Sequence, residues 1–232
     1  MNDDIGKTFM EQTKHHHLTR SDQARGHPQP PLQVPGNSAR PRFDLPEPQA
    51  CPRQAVDVYD ALVQRRSVRR YDQTSLTLEE LSYLLWCTQG VKEIAQRSAT
   101  FRTVPSAGAR HAFETYLLVN RVSELPPGLY RFLALEHQLV EQSAGPEMAA
   151  KITAACFGQQ FVKRSAATFI WTAVPYRMNW RYGERGYRYL HLDAGHVCQN
   201  LYLSAEPIQC GVCAIAAFDD DRMNQLLEID GE

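Results

Sequence analysis

The apolar residues of this chain change period several times, and the order of those changes is what most restricts its fold. After Pro52, Val56, Tyr59, Leu62 and Val63 recur at helical spacing. Thr77-Leu78-Glu79-Glu80 has the form of a capping box and precedes Leu81, Leu84 and Leu85, which announces a second helix. Strand-like runs follow at 113–122 and, beyond the turn Pro126-Pro127-Gly128, at 129–133. Further strands are expected at 167–174 and near 212–218. Helices are expected at about 146–163, 189–206 and 219–227. Helices and strands intermix without regular βαβ alternation, which predicts an α+β fold and not a doubly wound sheet. There is no internal repeat.

Residues 1–50 read differently from the rest. Pro28, Pro30, Pro31, Pro35, Pro41, Pro46, Pro48 and Pro52 crowd a stretch with few aliphatics, so an extended path over the surface is expected there. The resulting division is a proline-rich extension, 1–50, and a folded domain, 51–232. With 43% hydrophobic and 22% charged residues and a net charge of −1, the whole molecule is not built as a binder of nucleic acid or of an anionic membrane. No run approaches the length of a membrane span, and the polar first thirty residues lack a signal-peptide core. The expected location is the cytoplasm, with the six cysteines as reduced thiols.

The densest chemical signal is Arg65-Arg66-Ser67-Val68-Arg69-Arg70-Tyr71. In an extended chain, alternate side chains share a face, so Arg65, Ser67 and Arg69 would converge as a phosphate clamp of fork-shaped donors. A solvated basic turn or a surface nucleic-acid patch is the other reading of the same charges. Pro105-Ser106-Ala107-Gly108-Ala109 is a run of small residues whose backbone N–H groups can approach a flat ligand, and equally a plain loop. The arginine- and tyrosine-rich stretch 181–189 suits stacking and anion contacts or an exposed loop. Gln199 and Asn200 are candidates for buried hydrogen-bonding groups, and His196 lies on the same helix. Cys210-Gly211-Val212-Cys213 offers a rival chemistry, a dithiol or half of a zinc site with His196 and Cys198. It lacks the H-x-E and P-C-x-x-C context of a zinc deaminase and sits in an expected strand, where small buried thiols are the simpler reading. His15-His16-His17 is a weak metal signal, and no metal site is assigned.

Taken together, these segments resemble the SagB-type (ThcOx-like) dehydrogenases of the nitroreductase superfamily. The likeness rests on Glu11-Gln12-Thr13-Lys14-His15 as E-x-T-K-H, Arg65-Arg66-Ser67-Val68-Arg69 as R-R-S-x-R, and Pro105–Ala109 as P-S-A-G-A with Glu114 and Tyr116 beyond. It continues through Pro127-Gly128-Leu129-Tyr130, Gly186-Tyr187-Arg188-Tyr189, Ala194-Gly195-His196, Gln199-Asn200-Leu201 and Gly211–Ile215 with Phe218-Asp219. Order and spacing agree from about residue 9 onward.

The resemblance implies a nitroreductase-like α+β homodimer, its central, mostly antiparallel sheet flanked by helices, with FMN at the subunit interface. It implies that Arg65, Arg66, Ser67 and Arg69 bind the flavin phosphate, that Pro105, Ser106, Ala107 and Gly108 of the partner line the ring, and that Gly211 and Val212 face N5. The reaction implied is hydride transfer between flavin N5 and a small-molecule or peptide substrate, with NAD(P)H as a candidate reductant. Arg181-Tyr182 falls on the catalytic pair, but arginine stands where azoline-oxidising relatives carry lysine, and it stays charged where a lysine can accept a proton. Ala112 replaces a family proline. Relatives continue past Asp230-Gly231-Glu232 into a further strand, so an unpaired sheet edge is expected. The alternatives are a non-catalytic binding or scaffold subunit of the same fold, and a zinc or dithiol protein using Cys210 and Cys213.

Overall fold

The computed structural model describes residues 4–95 and 99–232. Its frame is a five-stranded antiparallel sheet in the order β1-β6-β5-β4-β7. The strands are β1 (Arg42–Asp44), β4 (Phe113–Val119), β5 (Gly128–Leu133), β6 (Gln138–Ala144) and β7 (Ala167–Ala173), with a separate hairpin of β2 (Val91–Ala95) and β3 (Ala99–Arg102). The helices are α1 (Ile5–Gln12), α2 (Asp22–Arg25), α3 (Val58–Gln64), α4 (Leu78–Gln89), α5 (Glu147–Ala155), α6 (Phe161–Arg164), α7 (Pro175–Tyr182), α8 (Gly186–Ala205) and α9 (Asp220–Leu227).

Strand β4 explains the layering. All seven of its residues are buried, the polar Glu114 and Thr115 among them, as in a strand covered on both faces. Its side chains alternate. Leu117 and Val119 join Tyr130, Phe132, Leu81, Leu84, Leu85 and Leu201 beneath α4 and α8. Tyr116 and Leu118 join Leu129, Met148, Ile152, Val162, Met223 and Leu227 beneath α5, α6 and α9. Helix α4 starts at the capping box read in the sequence: Glu80 N donates to Thr77 Oγ1 at 3.1 Å, and Thr77 N donates to Glu80 Oε2 at 2.9 Å.

Several expectations need correction. The helix at 146–163 is two helices, because Phe157, at φ +52°, and Gly158, at φ +76°, turn the chain out of the helical region. The first long strand ends at Val119, and β1, β2, β3 and β6 were not foreseen. No regular strand forms at 212–218; one parallel bridge joins Val212 to Ser67. The apolar side chains of α3 turn outward, with Val58 at 69%, Tyr59 at 71% and Val63 at 64% exposure.

The proline-crowded stretch contributes only the three-residue edge strand β1 and a single 3-10 turn. Its carbonyls, lacking ladder partners, are taken by guanidiniums of the body. Arg177 Nε donates to Pro31 O at 2.8 Å, Arg102 Nη2 to Leu32 O at 3.4 Å and Arg131 Nη2 to Pro35 O at 2.6 Å. Further upstream, Trp180 Nε1 donates to His27 O and Arg185 Nη1 to Thr13 O, at 3.0 and 2.9 Å. The N-terminal segment is thereby strapped across α7 and α8.

Candidate functional site

Two clusters of the expected site residues form, at different places along α8. In the first, the segment after α3 runs beside residues 210–214. Val68 N donates to Val212 O at 2.8 Å, and a side chain at Gly211 would lie 2.7 Å from Val68 Cβ, so glycine lets the two backbones meet. Tyr202 of α8 organises the pair. Its hydroxyl lies 3.0 Å from Ser67 Oγ, it accepts from Ala214 N at 2.9 Å, and the Arg65 guanidinium sits 5.4 Å over its ring.

Alternation therefore places Arg65 and Ser67 on one face, as the extended reading requires. Arg66, Val68 and Arg70 line a groove of about 2250 Å³ that also runs along β7, Gly211 and Val212. Arg69 lies near Tyr71, whose phenol is pushed up to about 12 mainly by burial. Among the described residues, no carboxylate pairs with Arg65, Arg66 or Arg69. The donor set is that of a site for an external anion such as a phosphate.

The second cluster surrounds Gly108, at φ +57°. A Cβ there would lie 2.4 Å from the Tyr182 hydroxyl and 2.9 Å from Arg181 Nε, so the small-residue loop and the end of α7 approach as closely as backbone allows. Asp193 of α8 fixes the loop: its Oδ1 accepts from Ala107 N at 3.3 Å, its carboxyl also bonds Ser106, and Ser106 Oγ accepts from His111 N at 2.9 Å. Burial raises the Asp193 carboxyl above its ordinary value, and Oδ2 has no partner. Arg110 Nε donates to Gly108 O at 2.9 Å, and its guanidinium lies 5.5 Å over Trp180. The Tyr182 ring is held edge-on against Tyr189 at 4.8 Å.

Sequence reading thus found the two loops and missed Tyr202, Asp193 and Arg110, which hold them. Pro105 is exposed and joins no side-chain hydrogen bond among the described residues. Arg185 and Arg188, read as anion contacts, are engaged instead by the N-terminal strap, with Arg188 Nε on Thr13 Oγ1 at 2.6 Å. Asn200 is a hydrogen-bonding strut, donating to Cys87 O at 2.8 Å, while His196 is exposed. The thiol alternative loses its basis. Cys210 packs against the core beneath α4 and α8, burial pushes it up to about 11, and it joins no group of three ligating side chains among the described residues. Glu11, His16 and His17 form such a group, on the exposed surface.

No hydrogen bond or ion pair among the described residues joins the two clusters. No described helix is long and apolar enough to cross a membrane.

The nitroreductase family model matches residues 62–232. A nitroreductase-type protein of Methanocaldococcus jannaschii is 35% identical over 179 residues, 76% of this chain and 86% of that protein. The trifolitoxin-processing protein of Rhizobium leguminosarum bv. trifolii is 29% identical over 130 residues, 54% of this chain and 35% of that protein. A solved nitroreductase-type chain of Anabaena variabilis is 32% identical with a TM-score of 0.64, covering 75% of this chain and 35% of that one. A nitroreductase-type structure from Desulfovibrio desulfuricans, in complex with FMN, has a TM-score of 0.51 at 17% identity, covers 76% of this chain and 79% of that one, and bears on the fold alone. The chain thus spans about a third of the Rhizobium and Anabaena proteins it matches.

Proposed function

The chain belongs to the nitroreductase family, and from that premise we propose that it is an FMN-dependent oxidoreductase of the SagB type, active as a homodimer. The observation that carries the reading is the arginine-rich segment 65–69, whose backbone bridges to Val212 beside Gly211 and whose Arg65, Arg66 and Arg69 have no carboxylate partner among the described residues. Unpaired arginines attract a phosphate by bidentate, charge-assisted hydrogen bonds. When bound, the flavin supplies hydride chemistry at its N5.

In this reading Arg65 and Arg69 hold the phosphate, Arg66 faces it from the groove side, and Ser67, fixed by Tyr202, orients the strand that carries them. Backbone at Gly211 and Val212 borders the ring on one side. Pro105, Ser106, Ala107 and Gly108 of a second copy border it on the other. The outward apolar face of α3, with Leu62 at 48% and Val63 at 64% exposure, is the surface such a copy would cover. The Tyr182 hydroxyl borders the loop at Gly108, which supports assigning it the role of handing a proton to a substrate. Arg181 stays charged and acts by attraction, not as a base. The likeness to a trifolitoxin-processing protein favours a peptide as one substrate class.

The test is titration of the purified protein with FMN, followed by quenching of flavin fluorescence. The wild-type chain binds, and Arg65→Gln/Arg69→Gln loses roughly two charge-assisted contacts, a weakening of about 100-fold or more. Absence of binding by the wild-type chain, or unchanged affinity in the double variant, refutes the assignment. Mass in solution reports the dimer separately.

A further inference from the structure

The cluster around Gly108 holds more positive charge than the proposed hydride chemistry uses. Arg110 is 8% exposed, its Nε is taken by Gly108 O, and its two terminal nitrogens make no hydrogen bond among the described residues. Arg181, exposed at the end of α7, comes within contact distance of the same glycine, and its guanidinium lies 5.6 Å over the Tyr182 ring. Neither arginine has a carboxylate within ion-pair distance among the described residues. The two feel each other: after burial itself, repulsion from Arg181 is the next cause lowering the Arg110 guanidinium. Asp193, the buried carboxyl of this cluster, faces the other way, toward Ser106 and Ala107.

The terminal nitrogens of Arg110 reach solvent without a protein partner and stand beside a second guanidinium without a counter-charge, a donor pair that an anion would complete. The flanking flat surface is the half-buried ring of Tyr182, while Trp180 is buried behind Arg110 and backs its guanidinium. We propose that Arg110 and Arg181 form an anion cradle that selects substrates bearing a carboxylate next to a planar group. The placement of this cradle at a substrate site rests on the flavin reading above. The cradle itself rests only on this chain's side chains.

Benzoate and its neutral isostere benzamide separate the two. Each is titrated into the full-length protein by calorimetry, with and without saturating FMN, while FMN binding is measured independently by fluorescence. Benzoate binds roughly tenfold or more tighter than benzamide, since one charge-assisted pair is at stake at minimum. The ratio falls towards one in Arg181→Gln, which changes an exposed side chain, and in Arg110→Gln. Arg110→Lys retains part of it, and added salt lowers it. Equal affinity for benzoate and benzamide in a protein that binds FMN overturns the cradle and leaves the flavin assignment standing. A benzoate preference in a protein that does not bind FMN does the reverse. A preference that survives Arg181→Gln and Arg110→Gln together overturns the assignment to these residues.

Discussion

Replacing Glu114 by Gln would strike the most deeply buried charge pair among the described residues. Glu114 Oε1 accepts from Arg177 Nη2 at 2.5 Å and from Val34 N at 2.9 Å, and the two charged side chains are 6% and 3% exposed. At an effective dielectric of about 20, opposite charges at this separation attract by about 7 kcal/mol. Gln keeps the shape and an acceptor oxygen, so it retains the bond to Val34 and a neutral one to Arg177, worth about 2 kcal/mol. What remains uncompensated is Arg177, with Arg102 close by, at a net cost of about 3–5 kcal/mol. For a chain of this length that is a fall in Tm of about 6–20 °C, read by calorimetry or circular dichroism. Because Arg177 also holds Pro31 O, the strap loosens with it, and trypsin cleaves at Arg20 or Arg25 sooner than in the wild-type protein. In the double variant Glu114→Leu/Arg177→Met the stranded Arg177 is gone and its repulsion of Arg102 with it, although Arg102 stays buried without Glu114, and about 1 kcal/mol returns relative to the single variant. A single variant within about 1 kcal/mol of wild type, or a double variant no more stable than the single, would show that the pair does not carry this energy.

Three further outcomes follow from local geometry. His111 has its imidazole held down at about 3, chiefly by burial and then by Arg102, so the unfolded chain takes up the proton first as pH falls below about 6.5; stability is full above that value and declines by about 1.4 kcal/mol per pH unit towards 3, and urea melts from pH 7.5 to 4.5 should show a slope shallower by about one proton in His111→Gln, an equal slope sinking the idea. Gly211→Ala drives a methyl into Val68 and costs about 1–3 kcal/mol, and Val68→Ala in the same chain restores part of it; no rescue in thermal melts would contradict the packing. Thr77→Ala removes one side of the capping box and costs about 1 kcal/mol by denaturant unfolding, a change below the error of the method counting against it.

What could be read from the sequence was whatever is encoded within a few residues. The capping box at Thr77 and Glu80, the alternation of Arg65 and Ser67, and the apolar run of β4 each announce themselves locally. Segment 212–218 did not, because its apolar residues have a strand's composition but find only one bridge partner, at Ser67. Arg185 and Arg188 could not be read either. Their acceptors at Met10 and Thr13 lie more than 170 residues away in sequence, and nothing near 185 distinguishes a strap clamp from an anion site. The long-range partners Tyr202 and Asp193 were invisible for the same reason, although each sits on a helix expected at 189–206 and found at Gly186–Ala205.

That helix also bears on why the proposed flavin site calls for a second chain. Tyr202 holds the Arg65–Ser67 clamp and Asp193 holds the Ser106–Gly108 loop, nine positions apart on α8. Nine residues are about 13–14 Å of rise and about two and a half turns, so the two side chains leave the helix on opposite sides. In the proposed dimer, a clamp and a loop directed apart in one chain face each other across the twofold axis. Subunit mixing tests this directly. One variant carries Arg65→Gln/Arg69→Gln, and the other carries Gly108→Val, which strains a φ of +57° and strikes the Tyr182 hydroxyl. Neither alone is expected to bind FMN. Refolded together at equal amounts, half of the dimers pair unlike chains, and each of those has one site built from an intact clamp and an intact loop. About a quarter of the sites should then bind flavin, whereas a site contained within one chain would give none.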